Sequence, residues 1–129
     1  MVITGVHPLI YSDDAPATRA FFRDVLRWPY VDWEVEPGWL MFAGGPSELG
    51  VHPTRSEWEG QVYESPRHHE ISLMCDDLDA TMAELAARGA TFAGEPRDEV
   101  YGRIVMLHVP GADDIQLYQP SYPTALDAG

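Results

Sequence analysis

Apolar and polar positions follow a pattern along this chain that occurs twice. Residues 5–11 and 69–75 are short apolar runs typical of β-strands, and each leads into two aspartates and a segment with helical periodicity. With an offset of 63 residues, Asp14 aligns with Asp77. Further matches pair Ala17 with Ala80, Thr18 with Thr81 and Ala20 with Ala83. The pattern predicts two copies of one structural unit.

Each unit contains one predicted helix with recognisable ends. An aspartate, Asp13 or Asp14, is the predicted cap of a first helix that extends to about Trp28. The second helix has Asp76 or Asp77 as its predicted cap, covers residues 78–88 and ends before Gly89, a favourable residue after a helix C-terminus. The predicted buried stripes are Ala17, Phe21 or Phe22 and Val25 in the first helix, and Leu78, Met82, Leu85 and Ala86 in the second.

Three strand-like segments follow each helix, separated by turns rich in Gly and Pro. The order is therefore β-α-β-β-β twice, which predicts the α+β class and a single domain. The predicted strands are residues 30–36, 39–43 and 48–52, then 90–93, 102–109 and 114–119. Module 1 covers about 1–52 and module 2 about 68–120, with a connector at 53–67 and a C-terminal tail at 121–129.

Composition narrows the range of partners and compartments. The sequence has 8 Lys and Arg residues against 21 Asp and Glu residues, a formal net charge of −13. Such a surface repels nucleic acids and anionic membranes, so we expect neither as a partner. No apolar run approaches the length of a membrane span, and the N-terminus lacks a basic signal-peptide region. The one cysteine, Cys75, excludes an internal disulfide and favours the reducing cytoplasm, with the thiol buried and inert.

The local motifs resemble those of a known family. Residues 7–14 with 21–26 are similar to its first strand and helix, residues 71–80 to its fifth strand and second helix, and residues 109–118 to its last hairpin. The family is the vicinal oxygen chelate superfamily, which contains glyoxalases, bleomycin resistance proteins and extradiol dioxygenases. The resemblance implies two βαβββ modules that form a curved mixed sheet around a central cavity, glyoxalase/bleomycin-resistance-like in type.

The resemblance also implies a metal site. Metal-binding members take one ligand from each of the first, fourth, fifth and eighth strands, and these positions are His7, His52, Glu70 and Gln116 here. Such a set would hold a divalent ion, Fe, Zn, Mn or Ni. The ligand order differs from that of glyoxalase I, and Gln116 offers a weakly ligating amide, so glyoxalase I activity is not assigned.

Three neighbouring side chains keep alternatives open. Alternation along the fifth strand puts His68 on the same face as Glu70, so His68 is either an alternative ligand or a general base. Both residues are therefore the candidate catalytic groups. Glu48 is the alternative if the fourth strand must supply an acid. His108 is expected to face solvent or a helix. The candidate residues for lining the cavity are Trp33, Trp39, Met41, Tyr101, Met106 and Tyr118. Tyr118 is two residues after Gln116 on one predicted strand, so alternation puts both on the same face.

Three functional hypotheses follow from the resemblance and the charge. The first is a metal-dependent lyase, isomerase or dioxygenase whose small substrate chelates the ion through vicinal oxygens. The second is a metal-free protein of the bleomycin-resistance type that binds a cationic drug or antibiotic, which the −13 charge and the tryptophans favour. The third is a structural or regulatory module with a degenerate site, which Gln116 favours. All three predict a homodimer.

Overall fold

The computed structural model describes residues 7–32, 40–50 and 53–127. In chain order, the described elements are α1 (Ala15–Ala20), a π-helical turn (Phe21–Val25), β1 (Tyr30–Asp32), β2 (Leu40–Phe42), β3 (Arg55–Trp58), β4 (Gln61–Glu64), β5 (Ser72–Met74), α2 (Leu78–Ala87), β6 (Phe92–Glu99), β7 (Gly102–Leu107), β8 (Ile115–Pro120) and a 3-10 turn (Ala125–Asp127). No helix among these is long and apolar enough to cross a membrane.

The second half of the chain forms the largest described sheet. Its strand order is β5-β8-β7-β6, with β5 parallel to β8 and the other pairs antiparallel. The elements β5, α2, β6, β7 and β8 therefore form one complete βαβββ module, as predicted. The strands β1 and β2 form an antiparallel pair, and so do β3 and β4. The predicted α+β class is confirmed.

The core lies on one face of this sheet, beneath the helices. Leu78 of α2 and Leu107 of β7 are 0% exposed, and they mark its centre. The prediction that Ala86 belongs to the buried stripe is wrong, because α2 packs through Leu78 and Leu85, one heptad apart, and Ala86 is turned to solvent. The buried cluster contains Phe21, Phe22, Leu78, Leu85, Ala90, Val105, Leu107, Val109, Ile115 and Leu117.

The first helix ends earlier than predicted, at Val25, and it changes form on the way. From Phe21 onwards it is a π-helical turn, in which the Leu26 N–H donates to the Phe21 carbonyl at 3.1 Å. A π turn takes an extra residue per turn, so adjacent side chains can both face the core. Phe21 and Phe22 are accordingly each 6% exposed, where the sequence predicted one or the other.

The predicted repeat is visible at the two helix starts. The Asp14 carboxylate accepts a hydrogen bond from the Ala17 N–H at 3.2 Å, and the Asp77 carboxylate accepts one from the Ala80 N–H at 3.1 Å. A hydroxyl four residues after each cap also donates to the cap's own carbonyl: Thr18 to Asp14 at 3.2 Å and Thr81 to Asp77 at 2.7 Å. Every one of these positions differs by the same 63 residues between copies.

Removing the second cap gives a testable stability change. We expect Asp77→Ala to lower the free energy of unfolding by about 1 kcal/mol, because the first turn of α2 loses the acceptor for the Ala80 N–H. Asp76→Ala is the matched control, since it removes the same charge one residue earlier without removing the cap. Urea unfolding measures both, and equal losses in the two variants would contradict the assignment.

Several predicted strands differ from the structure. Residues 7–11 of the first predicted strand and residues 48–50 of the fourth lie outside strands, and the remaining residues of both predictions lie outside the described ranges. Residues 12 and 13 instead contact a distant turn, because the Asp13 N–H and the Ser12 hydroxyl both donate to the Gly111 carbonyl, at 2.8 and 3.0 Å.

The segment that sequence analysis treated as a connector contains a β-hairpin. β3 and β4 are joined by Glu59 and Gly60, whose φ values are +50° and +78°. Positive φ at both central residues is the geometry of a two-residue hairpin turn that matches strand twist. Strand β6 also differs from prediction, since it extends to Glu99. A register irregularity after Ala93 interrupts the alternation that would have revealed its length.

Candidate functional site

The sheet has a second face, opposite the helices, where polar and apolar side chains meet. Cross-strand register pairs Met106 and Ser72 with Gln116, and it pairs Ile104 with Tyr118. Because alternate residues of a strand point to opposite faces, these side chains lie away from the core cluster. We call this surface the open face. It comprises Ser72, Met74, Ile104, Met106, Gln116 and Tyr118.

Gln116 lies at the centre of the open face with its side chain fixed by two hydrogen bonds. The Tyr101 hydroxyl donates to the Gln116 Oε1 atom at 2.9 Å, and the Gln116 Nε2 atom donates to the Ser72 hydroxyl at 3.4 Å. The Tyr101 ring meets the ring of Tyr118 edge-on, with centroids 6.2 Å apart. The sequence predicted that Gln116 and Tyr118 share a face, and this is correct.

Tyr101 combines an accessible ring with an electronegative setting. It precedes β7 and is 42% exposed. Partial burial raises the pKa of its hydroxyl, and the negative charges of Glu99 and Glu70 raise the same pKa further, while Arg97 opposes them. Both carboxylates therefore contribute negative potential at the Tyr101 hydroxyl, which a positively charged group would find favourable.

A second hydrogen-bonded chain begins at Tyr118. Its hydroxyl lies 2.8 Å from the Tyr122 hydroxyl, which in turn donates to the Glu48 Oε1 atom at 2.5 Å. The other Glu48 oxygen accepts from the Ala125 N–H at 2.8 Å. The hydrogen bond from Tyr122 has the largest effect in lowering the pKa of Glu48, and the hydrogen bond from the Ala125 N–H has the next largest. In return, the hydrogen bond to Glu48 raises the pKa of Tyr122. Glu48, the alternative acid ligand of the sequence analysis, thus holds the C-terminal turn.

The Glu48 carboxylate makes the C-terminal turn sensitive to pH. The pKa of Glu48 is lower in the folded state than its ordinary value. The stability that its hydrogen bonds contribute is therefore fully present above the ordinary carboxyl pKa and is lost as the pH falls through the folded-state pKa. We expect Glu48→Gln to increase amide exchange at Ala125 several-fold near neutral pH. The exchange rate of the unmodified protein should approach that of the variant as the pH falls below the folded-state pKa. Exchange at Ala125 that is identical in both proteins at neutral pH would contradict the assignment.

His68 and Glu70 form a pair beside the open face. The His68 Nε2 atom lies 2.9 Å from the Glu70 Oε1 atom, and its Nδ1 atom lies 2.7 Å from the Pro66 carbonyl oxygen. Both partners are hydrogen-bond acceptors, an arrangement that favours the protonated form of the ring. These hydrogen bonds raise the pKa of His68, and the bond to Glu70 has a larger effect than the bond to Pro66. The two roles predicted for His68, alternative metal ligand and general base, stay predictions.

The described members of the predicted metal set make other contacts. Gln116 directs its amide oxygen to Tyr101, Glu70 is paired with His68, and His7 is exposed. Among the described residues, no three His, Cys, Asp or Glu side chains are close enough to share an ion. His52 lies outside the described residues, as do Trp33 and Trp39, so the complete four-ligand set stays a prediction.

The helix side of the sheet carries a separate feature. His108 is about half exposed, as predicted, and its Nδ1 atom lies 2.8 Å from the Asp114 Oδ1 atom. This pair lies at the edge of an open groove of about 660 Å³, lined mainly by small apolar side chains of α1 and the Val109–Ala112 turn. Cys75 is half-buried, and burial raises its thiol pKa, consistent with an inert thiol.

Comparisons with known proteins agree with this architecture. TnmS3, an antibiotic binding protein from Streptomyces sp. CB03234, is 21% identical over 94% of this chain and 99% of its own, with a TM-score of 0.55. A superfamily member from Sphaerobacter thermophilus is 19% identical over 92% and 99%, with a TM-score of 0.59. Lactoylglutathione lyase from Agrobacterium tumefaciens is 17% identical over 85% and 88%, with a TM-score of 0.54.

At these identities the structural similarities establish the fold alone. No curated protein sequence gives a significant match. The sequence pattern of one family, described as the Glyoxalase/Bleomycin resistance protein/Dioxygenase superfamily, matches residues 5–116, most of the chain. The chain therefore belongs to the glyoxalase/bleomycin resistance protein/dioxygenase superfamily.

Proposed function

We propose that this protein binds a small organic molecule with a cationic aromatic group on the open face, without a metal ion. The observation that carries the proposal is the arrangement of Tyr101 and Gln116. The hydrogen bond between them fixes the half-exposed ring and the amide in one orientation. A ligand-binding surface gains affinity from such preorganisation, because little conformational entropy is lost on binding.

The chemistry of the open face favours this ligand class. The Tyr101 ring can stack on an aromatic group or accept a cation at its π face. The side chains of Met74 and Met106, both half-buried, offer adaptable apolar contacts beside it. The carboxylates of Glu70 and Glu99 raise the Tyr101 pKa, and the same negative potential attracts a cation. The net charge of −13 extends this attraction beyond the site.

The structural comparisons are compatible with a binding function. TnmS3 is described as an antibiotic binding protein, and it is similar to this chain along nearly the whole length of both. The superfamily also contains enzymes, so this similarity supports the proposal without choosing a ligand. The choice of ligand class is made by the residues of the open face.

Thermal melting with matched ligand pairs tests the proposal. Each pair contains a cationic aromatic compound and a neutral compound with the same ring system, added to EDTA-treated protein. A ligand at 100 times its Kd stabilises a protein by about 2.7 kcal/mol, so a binder raises Tm by several degrees. We expect cationic members to raise Tm and neutral members to raise it less. Equal or absent shifts across every pair would overturn the proposal.

A metal-dependent enzyme is the second candidate, and one observation favours it. The charge of Glu70 acts on the Tyr101 hydroxyl, which donates to Gln116, so two of the predicted ligands are both linked to Tyr101. A divalent ion held there with His7 and His52 would polarise a substrate with vicinal oxygens. Elemental analysis of protein purified without chelator tests this idea. One equivalent of metal that His52→Ala abolishes would support it, and the same metal content in both proteins would reject it.

We also propose that the protein acts as a homodimer in the cytoplasm. The single cysteine is compatible with a reducing compartment. Large hydrophobic side chains of the described residues are exposed, among them Val31, Leu49 and Trp58. A second copy that covers some of them would remove apolar surface from water.

A further inference from the structure

The groove on the helix side of the sheet is a cavity separate from the open face. We call it the helix-side groove. Its volume of about 660 Å³ lies within the range of roughly 300–1,000 Å³ that is typical of small-molecule sites. The apolar side chains that line it include Ala17, Ala20, Phe21, Val25, Ala90 and Ala112. Because most of these side chains are small, the groove has room for a compact apolar group.

One wall of the helix-side groove has an irregular backbone. Phe21 and Val25 belong to the π-helical turn, whereas the residues that match 21–24 in the second copy, residues 84–87, belong to a regular α-helix. Single π turns within helices occur frequently at functional sites. The two copies of the repeat therefore differ in helical geometry at the wall of this groove.

A histidine and an aspartate form the polar end of the helix-side groove. His108 and Asp114 both line it, and their side chains are 47% and 37% exposed. An ionised carboxylate is only an acceptor, so the His108 Nδ1 atom carries the proton when the ring is neutral. The Nε2 atom of a neutral ring is then an acceptor as well. This end of the groove is therefore suited to a ligand group that donates hydrogen bonds.

We infer that the helix-side groove binds a small molecule with a compact aliphatic body and a primary ammonium group. The ammonium group would donate hydrogen bonds to the Asp114 carboxylate and to the His108 Nε2 atom. The aliphatic body would lie on the alanine side chains and displace water from them. This inference goes beyond the proposed function, because it assigns a second site on the other side of the sheet.

Charge favours an ammonium group over an anionic group at this site. Among the described residues that line the groove, Asp114 carries a formal charge at neutral pH, and none is a lysine or an arginine. Arg88 lies beside the wall, but its guanidinium is held by the Glu84 carboxylate at 2.6 Å and by the Val25 carbonyl oxygen at 2.9 Å. The net charge of −13 also attracts cations to the molecule as a whole.

Alanine methyl NMR with two matched probes tests the site. Adamantylamine and adamantanol share one aliphatic cage, and neither has the aromatic ring of the ligand class proposed for the open face. We expect both to shift the Ala20 and Ala112 methyl resonances saturably, and the amine to bind about fivefold more tightly. The methyl resonance of Ala83, which matches Ala20 in the second copy and is exposed, should not shift.

Two results of this titration would overturn the inference. The first is the absence of saturable shifts at Ala20 and Ala112. The second is equal affinity for the amine and the alcohol. Shifts of the Met74 and Met106 methyl resonances without the alanine shifts would place the amine on the open face. That result would remove the helix-side site and leave the proposed function standing.

Matched aspartate variants test the role of the carboxylate. Asp114→Asn removes the charge that lines the groove, and Asp113→Asn removes the same charge one residue earlier, from an exposed position outside the lining. We expect Asp114→Asn to weaken adamantylamine binding about fivefold and adamantanol binding less than twofold. Asp113→Asn should change either affinity less than twofold. Equal effects of the two substitutions on the amine would contradict the inference.

Filling the groove tests its apolar part. Ala20→Leu places a larger side chain in the groove, so we expect both probes to bind about tenfold more weakly. Ala83→Leu makes the same change at the matching position of the second copy and should leave both affinities unchanged. If Ala20→Leu lowers Tm, Ala17→Leu takes its place, with Ala80→Leu as its matched control. Unchanged affinity in the variant that fills the groove would place the probes elsewhere and overturn the inference.

Discussion

Gly111→Ala is expected to lower the free energy of unfolding by about 3 kcal/mol, the largest single-residue effect on stability proposed here. Gly111 has a φ of +79°, and an added Cβ would lie 2.7 Å from the Ser12 Oγ atom and 2.9 Å from the Asp14 carbonyl oxygen. The Gly111 carbonyl also accepts two hydrogen bonds from the start of α1. The substitution therefore strains the turn and separates it from the first helix. Chemical unfolding measures the loss.

Gly94→Ala is the matched control for this effect. Its φ is +76°, nearly the same as that of Gly111, but an added Cβ meets no atom within 4 Å. Gly94→Ala therefore measures only the cost of placing a residue other than glycine in the left-handed backbone conformation, which is about 1 kcal/mol. If the two variants lose equal stability, the contact between Gly111 and the start of α1 does not hold the first helix against the second module.

Tyr101→Ala is expected to weaken binding of a cationic aromatic ligand by about 30-fold, which is the largest functional effect proposed here. The substitution removes the ring that the ligand contacts and also frees the Gln116 amide to rotate. Tyr101→Phe keeps the ring and removes only the hydroxyl that holds Gln116, so we expect a smaller loss of about threefold to fivefold. Calorimetry with EDTA-treated protein measures all three affinities.

Tyr11→Ala controls for the general loss of a tyrosine. Tyr11 is 88% exposed and lies outside the open face. We expect its substitution to change the affinity less than twofold. An affinity of Tyr101→Ala that equals that of Tyr11→Ala would place the ligand elsewhere on the molecule.

The second module could be predicted from sequence because its signals are local. A cap at Asp76 or Asp77, Gly89 after the helix and the apolar segments of the last two strands each depend on a few neighbouring residues. The structure has the cap at Asp77, and it has both strands. The repeat offset could be read from the sequence in the same way, because the hydrogen bonds at the two helix caps require the same residue types at matching positions. The family resemblance rested on these same segments, and it is also confirmed.

The β3–β4 hairpin was not predicted, because its strands lack a clear hydrophobic pattern. Its two faces are both largely exposed, so β3 and β4 lack the alternation of buried and exposed positions that indicates a strand. The Glu59-Gly60 pair was the available signal, because Gly at the second position of a two-residue turn is typical of hairpins.

The hydrogen bonds of the candidate site could not be predicted, because they join residues distant in sequence. Tyr101 meets Gln116 across two strands, and Glu48 meets Tyr122 and Ala125 from the other half of the chain. Parity along β8 placed Gln116 and Tyr118 together, and this was the part that periodicity can determine. Whether the Gln116 amide contacts a metal ion or a tyrosine depends on which residues the fold brings next to it, and these residues are distant in sequence.

Methionine methyl NMR tests the central claim most directly. The sequence has five methionines, and three of them distinguish the two faces of the sheet: Met74 and Met106 are on the open face, whereas Met82 faces the core from α2. The experiment titrates a cationic aromatic ligand into methyl-labelled, EDTA-treated protein and follows each methyl resonance. We expect saturable shifts of the Met74 and Met106 methyl resonances and no shift of the Met82 methyl resonance. Saturable shifts at Met82 with the other two unchanged would place the ligand on the helix side and contradict the central claim.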